Sequence, residues 1–494
     1  MTAERTHSTV LWALGGLIAL GLAVRFATLG VQSYHHDEVI TAVRVIPGSF
    51  TQMLGEVKGS ESNPPLYYVL AWGWAKAFGT GEVGLRSLTA LFGAATVPVA
   101  YLIGRELASN RAGLIGAAIV AVNPMLIWYS QEARSYALLV FFGAVSLLFF
   151  ARALRTREGR DLALWALASA LALCSHYFAV FAVTIEAAWL LVALRSRWRF
   201  VLPAVGGVLA VGLALLPLIL VQVNPTHIGW IDHSLLSTRL LDTGGSFLTG
   251  ETGHVIAQSP RERYMLVPVL LIGVALLLVA LRGSKREKRG AALGLVIGVG
   301  VVLLASGLAL AGKDYIVERN LLPALIPLTI AAAVGFAASG ARRAGLVLAT
   351  ALCAYWLAFD VHVARTLNLQ RPDFREVTER LGPPVRPRAI VTWTLAADGV
   401  RFYLGHASRR KYRGKVPIRE VDVISKAVVV GRPPELPPAF RPVERLRLER
   451  LTLTRYMARG IHRVSVLRLR DARTGFGRNA VITDGMPQEA EASE

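Results

Sequence analysis

The sequence predicts a polytopic α-helical membrane protein of about eleven transmembrane helices, followed by a small extracytoplasmic α/β domain. Three observations carry this. Hydrophobic residues make up 54% of the chain at a mean hydropathy of +0.48, gathered into runs close to the roughly 20 residues a span needs. The formal charge of +21 sits between those runs and in the C-terminal third. Past Asp360 the long runs give way to short alternating segments punctuated by proline.

The spans are expected at 10–29, 85–104, 112–128, 136–154, 162–174, 178–194, 200–221, 264–281, 291–311, 321–338 and 344–359. The fifth is short and its boundary with the sixth is soft. Alternate connectors then carry the positive charge: Arg105/Arg111, Arg152/Arg155/Arg157/Arg160, Arg195/Arg197/Arg199, the Arg282–Arg289 cluster and Arg342/Arg343. By the positive-inside rule these face the cytoplasm, with the N-terminus. The opposite connectors hold Asp37/Glu38, Glu132, His176, Asp232, Asp314 and Glu318, which places these residues and the C-terminal domain outside. Leu66–Phe78 is apolar and aromatic but too short to span, and Pro64 and Pro65 open it, so a helix lying along the outer interface is expected there. Arg5 and His7 precede an apolar run too long for a typical signal peptide, so the first helix is expected to be retained.

The division expected is a membrane domain over 1–360, with long extracytoplasmic loops at 32–84 and 222–263, and an extracytoplasmic domain over 361–494. Within the latter, Phe374–Leu381 has helical patterning and 399–404 begins a helix. The stretches 389–394, 426–430 and 462–469 read as strands, and the acidic end 487–494 as a disordered tail. Two cysteines, each inside an apolar run, argue against a disulfide scaffold or a zinc site. The charge pattern argues for a membrane and against nucleic acid as partner. No Walker loop or dinucleotide fingerprint occurs, so an enzyme here draws its energy from a substrate already activated.

Chemistry is concentrated at outer helix ends. His35-His36-Asp37-Glu38 follows the first span; an acid there is either a helix start favoured by the N-terminal dipole or a general base whose pKa the lipid boundary moves. Tyr129-Ser-Gln-Glu-Ala-Arg-Ser-Tyr136 offers Glu132 and Arg134 either as an N-capped turn with an internal ion pair or as a second acid and a guanidinium lining a cavity. Gly312-Lys-Asp-Tyr-Ile-Val-Glu-Arg-Asn320 puts Lys313 and Arg319 on the outer side against the orientation bias. That suggests phosphate binding, unless Asp314 and Glu318 merely neutralise them. His176 and Tyr177 in Ser-His-Tyr-Phe, Tyr67 in Asn63-Pro-Pro-Leu-Tyr-Tyr68, and Arg86 at the outer end of the second span complete the set.

Together, in this order and on one membrane side, these stretches resemble the GT-C fold membrane glycosyltransferases, in particular the family 39-like group related to protein O-mannosyltransferases and the lipid A aminoarabinose transferase. The marks run from about residue 10 to 338 and include Leu-Arg-Ser-Leu-Thr-Ala-Leu-Phe-Gly at the second span, Asn123-Pro124, and Arg-Asn-Leu-Leu-Pro-Ala-Leu-Ile-Pro-Leu entering the tenth. The resemblance implies a GT-C-like membrane fold and an inverting transfer from a polyprenyl-phosphate-linked sugar to an acceptor glycan, lipid or protein. It implies Asp37 as catalytic base beside Glu38, with Glu132 in the site; which of the first two is the base rests on the resemblance alone. Arg134, Arg319, Lys313 and Arg86 would meet the donor phosphate; His36, Tyr67, Tyr136, His176 and Tyr177 would contact substrate. It fixes no cofactor; a divalent metal, were one used, would fall to His36, Asp37 and Glu132. A transporter or flippase of lipid-linked sugars would place its charges mid-span near broken helices. A lipid-linked glycan ligase or polymerase would share the outer cations but not the Asp-Glu pair.

Overall fold

The computed structural model describes residues 2–223, 235–251, 261–405, 414–427, 434–448, 450–475 and 478–486. The first part of the chain is helical: α1 Thr2–Phe26, α2 His36–Ile40, α3 Phe50–Ser60, α4 Leu66–Phe78, α5 Glu82–Leu107, α6 Asn110–Val122, α7 Pro124–Ser130, α8 Tyr136–Thr156, α9 Gly159–Ser175 and α10 Ala179–Ala193. There follow α11 Trp198–Gln222, α12 Leu236–Thr249, α13 Arg261–Arg282, α14 Lys285–Leu310, a 3-10 turn Glu318–Ala324, α15 Leu325–Phe336 and α16 Arg342–Arg365. The remainder forms α17 Phe374–Leu381, β1 Arg388–Trp393, α18 Thr394–Leu404, β2 Lys415–Lys426, β3 Arg441–Leu448, β4 Leu451–Ser465, α19 Val466–Arg470 and β5 Asn479–Asp484.

The protein is a polytopic α-helical membrane protein with a small C-terminal sheet domain. Every predicted span falls on a helix, and the count of about eleven is not confirmed by helix length and composition. Among the described residues eight helices are long and apolar enough to cross a membrane, or nine with the bent pair α6–α7. The fifth and sixth predicted spans are α9 and α10, of 17 and 15 residues, short of the thickness a straight crossing needs. The third bends by 57° at Asn123-Pro124. Pro124 sits at the first position of α7, where no backbone N–H is needed, and the Asn123 side chain caps it by accepting from Leu126 N at 3.0 Å.

Two compact units result: Met1–Leu29 with Val45–Arg365, and Gly30–Arg44 with Thr366–Glu494. In the first unit, glycines one turn apart on α14 let α15 approach closely. A Cβ at Gly294 would lie 2.5 Å from the Pro327 carbonyl, and one at Gly298 2.5 Å from Leu328. Glu186 of α10 is buried among these helices and accepts from Ser146 of α8 and from Trp165 Nε1 of α9 at 2.8 Å. Helix α4 keeps the bounds expected of the short interfacial segment, and its Tyr67, Tyr68 and Ala71 are buried.

In the second unit the sheet order is β3-β4-β2-β1-β5. Strand β1 runs parallel to β2, and the β1–β5, β2–β4 and β3–β4 pairs are antiparallel. Apolar side chains cover both faces: Phe374, Ile390, Val400, Leu453 and Ile482 on one, Val391, Val421, Val423, Val464 and Leu469 on the other. One charged residue from each strand forms a row across the sheet, Glu444–Arg455–Asp422–Arg388–Asp484, with separations of 3.0, 2.9, 3.9 and 2.6 Å. Arg388 also donates to the Leu381 and Gly382 carbonyls, closing the C-terminal end of α17. The expected helices at Phe374–Leu381 and 399–404 are present, and β1 covers 388–393. The strand expected over 462–469 ends at Ser465 and turns into α19; of 426–430, residues 428–430 lie outside the described residues, as do the tail 487–494 and Asp232. Most of β2 and β4, and all of β3 and β5, lie outside the expected strands. Pro442 is tolerated because β3 lies at the sheet edge.

Candidate functional site

The first unit gathers its buried charges around the connector between α7 and α8. Arg134 is 6% exposed and Glu61, just after α3, is 4% exposed; their closest approach is 2.8 Å. Tyr68 Oη donates to Glu61 at 2.7 Å, and the Arg134 guanidinium lies over the Tyr68 ring at 5.8 Å. Burial, eased by Arg134 and reinforced by Glu61, holds the Tyr68 hydroxyl well above its ordinary value, so it remains a donor. Tyr67 is fully buried with its ring edge-on to Tyr68. Glu132 is buried one residue before the turn that returns the Arg134 N–H to its carbonyl at 2.7 Å.

A second layer joins through aromatic rings. Tyr136 stands 4.7 Å from Tyr129 and 5.6 Å from His176, ring centre to ring centre. His176 is buried; burial first, then the positive charges of Arg319 and Arg134, lower its pKa to about 3. Its Nδ1 accepts from Phe178 N at 3.3 Å, so the neutral ring carries its proton on Nε2 and presents a donor there. Tyr129 donates to Glu251, which Gly250 presents immediately after α12. Gly250 takes φ +67, and a Cβ there would press on the Pro124 carbonyl at 3.3 Å, so helix, bend and acid fit together only with glycine. The Asn123 and Trp356 side chains cap α12 by donating to the Phe247 and Leu248 carbonyls at 3.1 and 2.8 Å. Burial and the nearby carboxylates of Glu318 and Glu132 push the Glu251 carboxyl up, against the pull of Arg319.

The structure thus brings Glu132, Arg134, Tyr136, His176 and Arg319 into one neighbourhood with Glu61, Tyr68, Tyr129, Glu251 and Glu318. Sequence reading did not single out Glu61, Tyr68 or Glu251 as site residues, although Glu61 and Glu251 both lie in the predicted outer loops, the signal that would have found them. Four other residues singled out in the sequence are placed as follows. Asp314 pairs with Arg239 of α12, at 2.7 Å to its Nη1, rather than with Lys313; this bond holds its carboxyl below the ordinary range. Lys313 is exposed and borders a recess with Phe178, Phe181 and Tyr315. Arg86 is 1% exposed and donates to the Leu29 carbonyl at 2.8 Å, the position of a residue that fixes the end of the first helical segment. Tyr177 donates to Gln222 at 2.7 Å, and Gln222 donates to the Val57 and Asn63 carbonyls, linking α11 to the loop before α4.

The second unit holds the His-Asp-Glu segment. His36 Nε2 lies 3.3 Å from Asp37 Oδ1, and His35, His36 and Asp37 can each offer a ligand atom within 4.8 Å of the others. That trio has His35 in the place given to Glu132 by the sequence. Glu38 is fully buried; its Oε2 accepts from the His35 N–H at 2.9 Å and lies 3.6 Å from Arg371 Nη1. The Asp37 side chain is 22% exposed.

Residues 62–220 match the sequence profile of the dolichyl-phosphate-mannose-protein mannosyltransferase family. This match covers Tyr67, Glu132, Arg134, Tyr136, His176 and Tyr177 and agrees with the resemblance to family 39-like GT-C glycosyltransferases. No curated protein sequence matches the chain. Among solved structures, the Saccharomyces cerevisiae protein O-mannosyltransferase Pmt1–Pmt2 complex bound to the sugar donor is 21% identical over 43% of this chain and 32% of its own, with a TM-score of 0.32. The Archaeoglobus fulgidus oligosaccharyltransferase in complex with Zn and sulfate is 14% identical over 75% of this chain and 55% of its own, TM-score 0.45. ArnT from Cupriavidus metallidurans bound to undecaprenyl phosphate is 13% identical over 89% and 97%, TM-score 0.38. The chain therefore spans about a third of the yeast chain it matches and a little over half of the archaeal one.

Proposed function

We propose, for a multi-pass chain whose residues 62–220 match the mannosyltransferase family profile, that it transfers a sugar from a polyprenyl-phosphate carrier to an acceptor hydroxyl or amine. The reaction is assigned to the outer face of the cytoplasmic membrane and inverts the anomeric carbon. The observation that supports this is the buried cluster around Arg134: carboxyls, guanidiniums and phenols enclosed at helix ends in an otherwise apolar body. Such groups in a site shielded from water stabilise charge that develops on a departing phosphate.

Of the cations, the half-buried Arg319 is better exposed than Arg134, so Arg319 takes the phosphate and Lys313 assists from the rim. Arg134 then keeps Glu61 and Tyr68 in place to meet sugar hydroxyls, and the Nε2–H of His176 adds a donor that stays uncharged at neutral pH. Asp37 is assigned as base because Glu38 is buried and committed to the His35 N–H and Arg371, whereas Asp37 reaches solvent. In the reaction the acceptor oxygen bonds to the anomeric carbon and the bond from that carbon to the phosphate oxygen breaks. The electron pair leaves with the phosphate, and the acceptor proton passes to the Asp37 carboxylate. His35, His36 and Asp37 would hold a divalent ion, which would supply charge stabilisation to a departing phosphate.

The test is to incubate purified protein with a panel of polyprenyl-phosphate sugars and measure donor consumption and free polyprenyl phosphate, with and without chelator. Donor cleavage coupled to glycosylated acceptor is expected. Movement of intact donor across a vesicle bilayer without cleavage would instead establish a flippase.

A further inference from the structure

The segment that carries Asp37 is fastened to the chain's last third. The Phe374 N–H donates to Ser33 Oγ at 3.0 Å, and Ser33 Oγ donates to the Pro372 carbonyl at 3.2 Å. The Tyr34 N–H donates to Tyr403 Oη at 2.7 Å, and the fully buried Tyr34 ring lies 5.5 Å from Phe402. Arg44 pairs with Asp398 of α18, and Arg375 Nη1 donates to the Gly30 carbonyl at 3.3 Å. Helix α2 is five residues long, far below the length at which a helix holds itself in water. Its order comes from these neighbours.

Arg371 has a particular place among them. Its Nη1 lies 3.6 Å from Glu38, and Glu38 is the carboxylate whose Oε2 holds the His35 N–H at the start of α2. A fully buried carboxylate deprived of its cation has to take a proton or turn towards water. Either change weakens the acceptor that fixes the first turn, and Asp37 is the next residue back along that turn.

We propose that Arg371 is a positioning residue for the transfer reaction, and that the C-terminal unit serves to present Asp37 through Arg371 and Glu38. The inference rests on the assignment of Asp37 as base given above. It gives the C-terminal unit a task in the chemistry without contact with substrate.

The experiment uses the full-length protein in lipid nanodiscs, with two readouts. Backbone hydrogen exchange over residues 33–41 reports order whether or not the protein turns over donor, and steady-state kinetics reports the reaction. Arg371→Ala is expected to speed exchange over 33–41 about tenfold or more while leaving α5 protected. It is expected to lower kcat by roughly tenfold or more with the donor KM changed less than about threefold. Arg371→Lys should recover most of both losses, and Arg445→Ala, on the exposed edge strand, should change neither. Glu38→Gln, which removes the charge but keeps the acceptor, should loosen the same residues less than Arg371→Ala does and serves where the latter fails to fold. Unchanged exchange over 33–41 in Arg371→Ala overturns the proposal, as does faster exchange with unaltered kcat. A wild-type protein that cleaves no donor removes the transferase reading alone; the exchange arm still decides whether Arg371 orders the segment.

Discussion

Arg25 supplies the hydrogen bond that Pro124 cannot: with no N–H at Pro124, the Val120 carbonyl one turn back has no helical donor, and Arg25 Nη2 donates to it at 2.9 Å. Its Nη1 reaches the Ala121 carbonyl at 2.8 Å, and its Nε the Ser130 hydroxyl at 3.1 Å. A fully buried arginine near the end of a membrane helix is thereby accounted for by a break in a different helix, 95 residues later in sequence.

Arg25→Met should therefore destabilise the protein by roughly 2–4 kcal/mol, since two buried carbonyls lose their donors. Thermal unfolding in detergent measures this, and Arg25→Lys, with one ammonium for two carbonyls, should fall between. A midpoint equal to wild type in Arg25→Met would show that water replaces the guanidinium.

Asp37→Asn should reduce the transfer rate by about 10²–10⁴ with little change in donor KM, the size expected for removal of a general base. Glu38→Gln should cost less in rate. The opposite ranking, read from initial rates with saturating donor, would transfer the base assignment to Glu38.

Arg134→Ala removes the cation 2.8 Å from the buried Glu61, at a cost of about 3–5 kcal/mol. Adding Glu61→Gln to that variant should return much of the loss, which unfolding midpoints of the two single variants and the double variant can establish. Arg319→Ala, at a half-buried position, should instead keep the fold and raise the donor KM. If both arginine variants lost stability equally and donor KM did not move, Arg319 would belong to the scaffold.

His176 gives a pH dependence of defined sign. Its pKa lies at about 3 in the folded protein against an ordinary 6.5. Between those values the unfolded chain takes up a proton that the folded chain refuses. The contribution is therefore fully present above about pH 6.5 and is lost progressively as pH falls towards 3. Unfolding midpoints at pH 7.5, 6 and 5 should drop less steeply for His176→Gln than for wild type; parallel curves would sink the assignment.

What could be read from the sequence was whatever depends on local pattern. The bounds of Leu66–Phe78 and Phe374–Leu381 follow from composition and flanking prolines, and every span expected on apolar length lies on a helix. The span count is left unconfirmed at α9 and α10, whose 17 and 15 residues are apolar but short, because apolar content does not measure how far a helix travels. Partner choice was out of reach. Asp314 has Lys313 next to it in the chain, yet pairs with Arg239, 75 residues away, and Arg134 finds Glu61 at a separation of 73. The two carboxyls of Asp37-Glu38 look equivalent in sequence. Only the packing of Glu38 against Arg371, from the far end of the chain, separates them.

The row Glu444–Arg455–Asp422–Arg388–Asp484 alternates in sign from one strand to the next. Because successive residues of a strand point to opposite faces, a slip of one residue in any strand would turn its charged member to the other side of the sheet. It would take one opposing charge from each neighbour in the row, which is costly where that neighbour is buried, as Asp422, Arg388 and Asp484 are. The row therefore works as a parity check on assembly. Strands β1 and β5 meet although Arg388 and Asp484 are 96 positions apart, and only the correct alignment of all five strands balances the row. The domain carries in this row its own criterion for having been put together correctly.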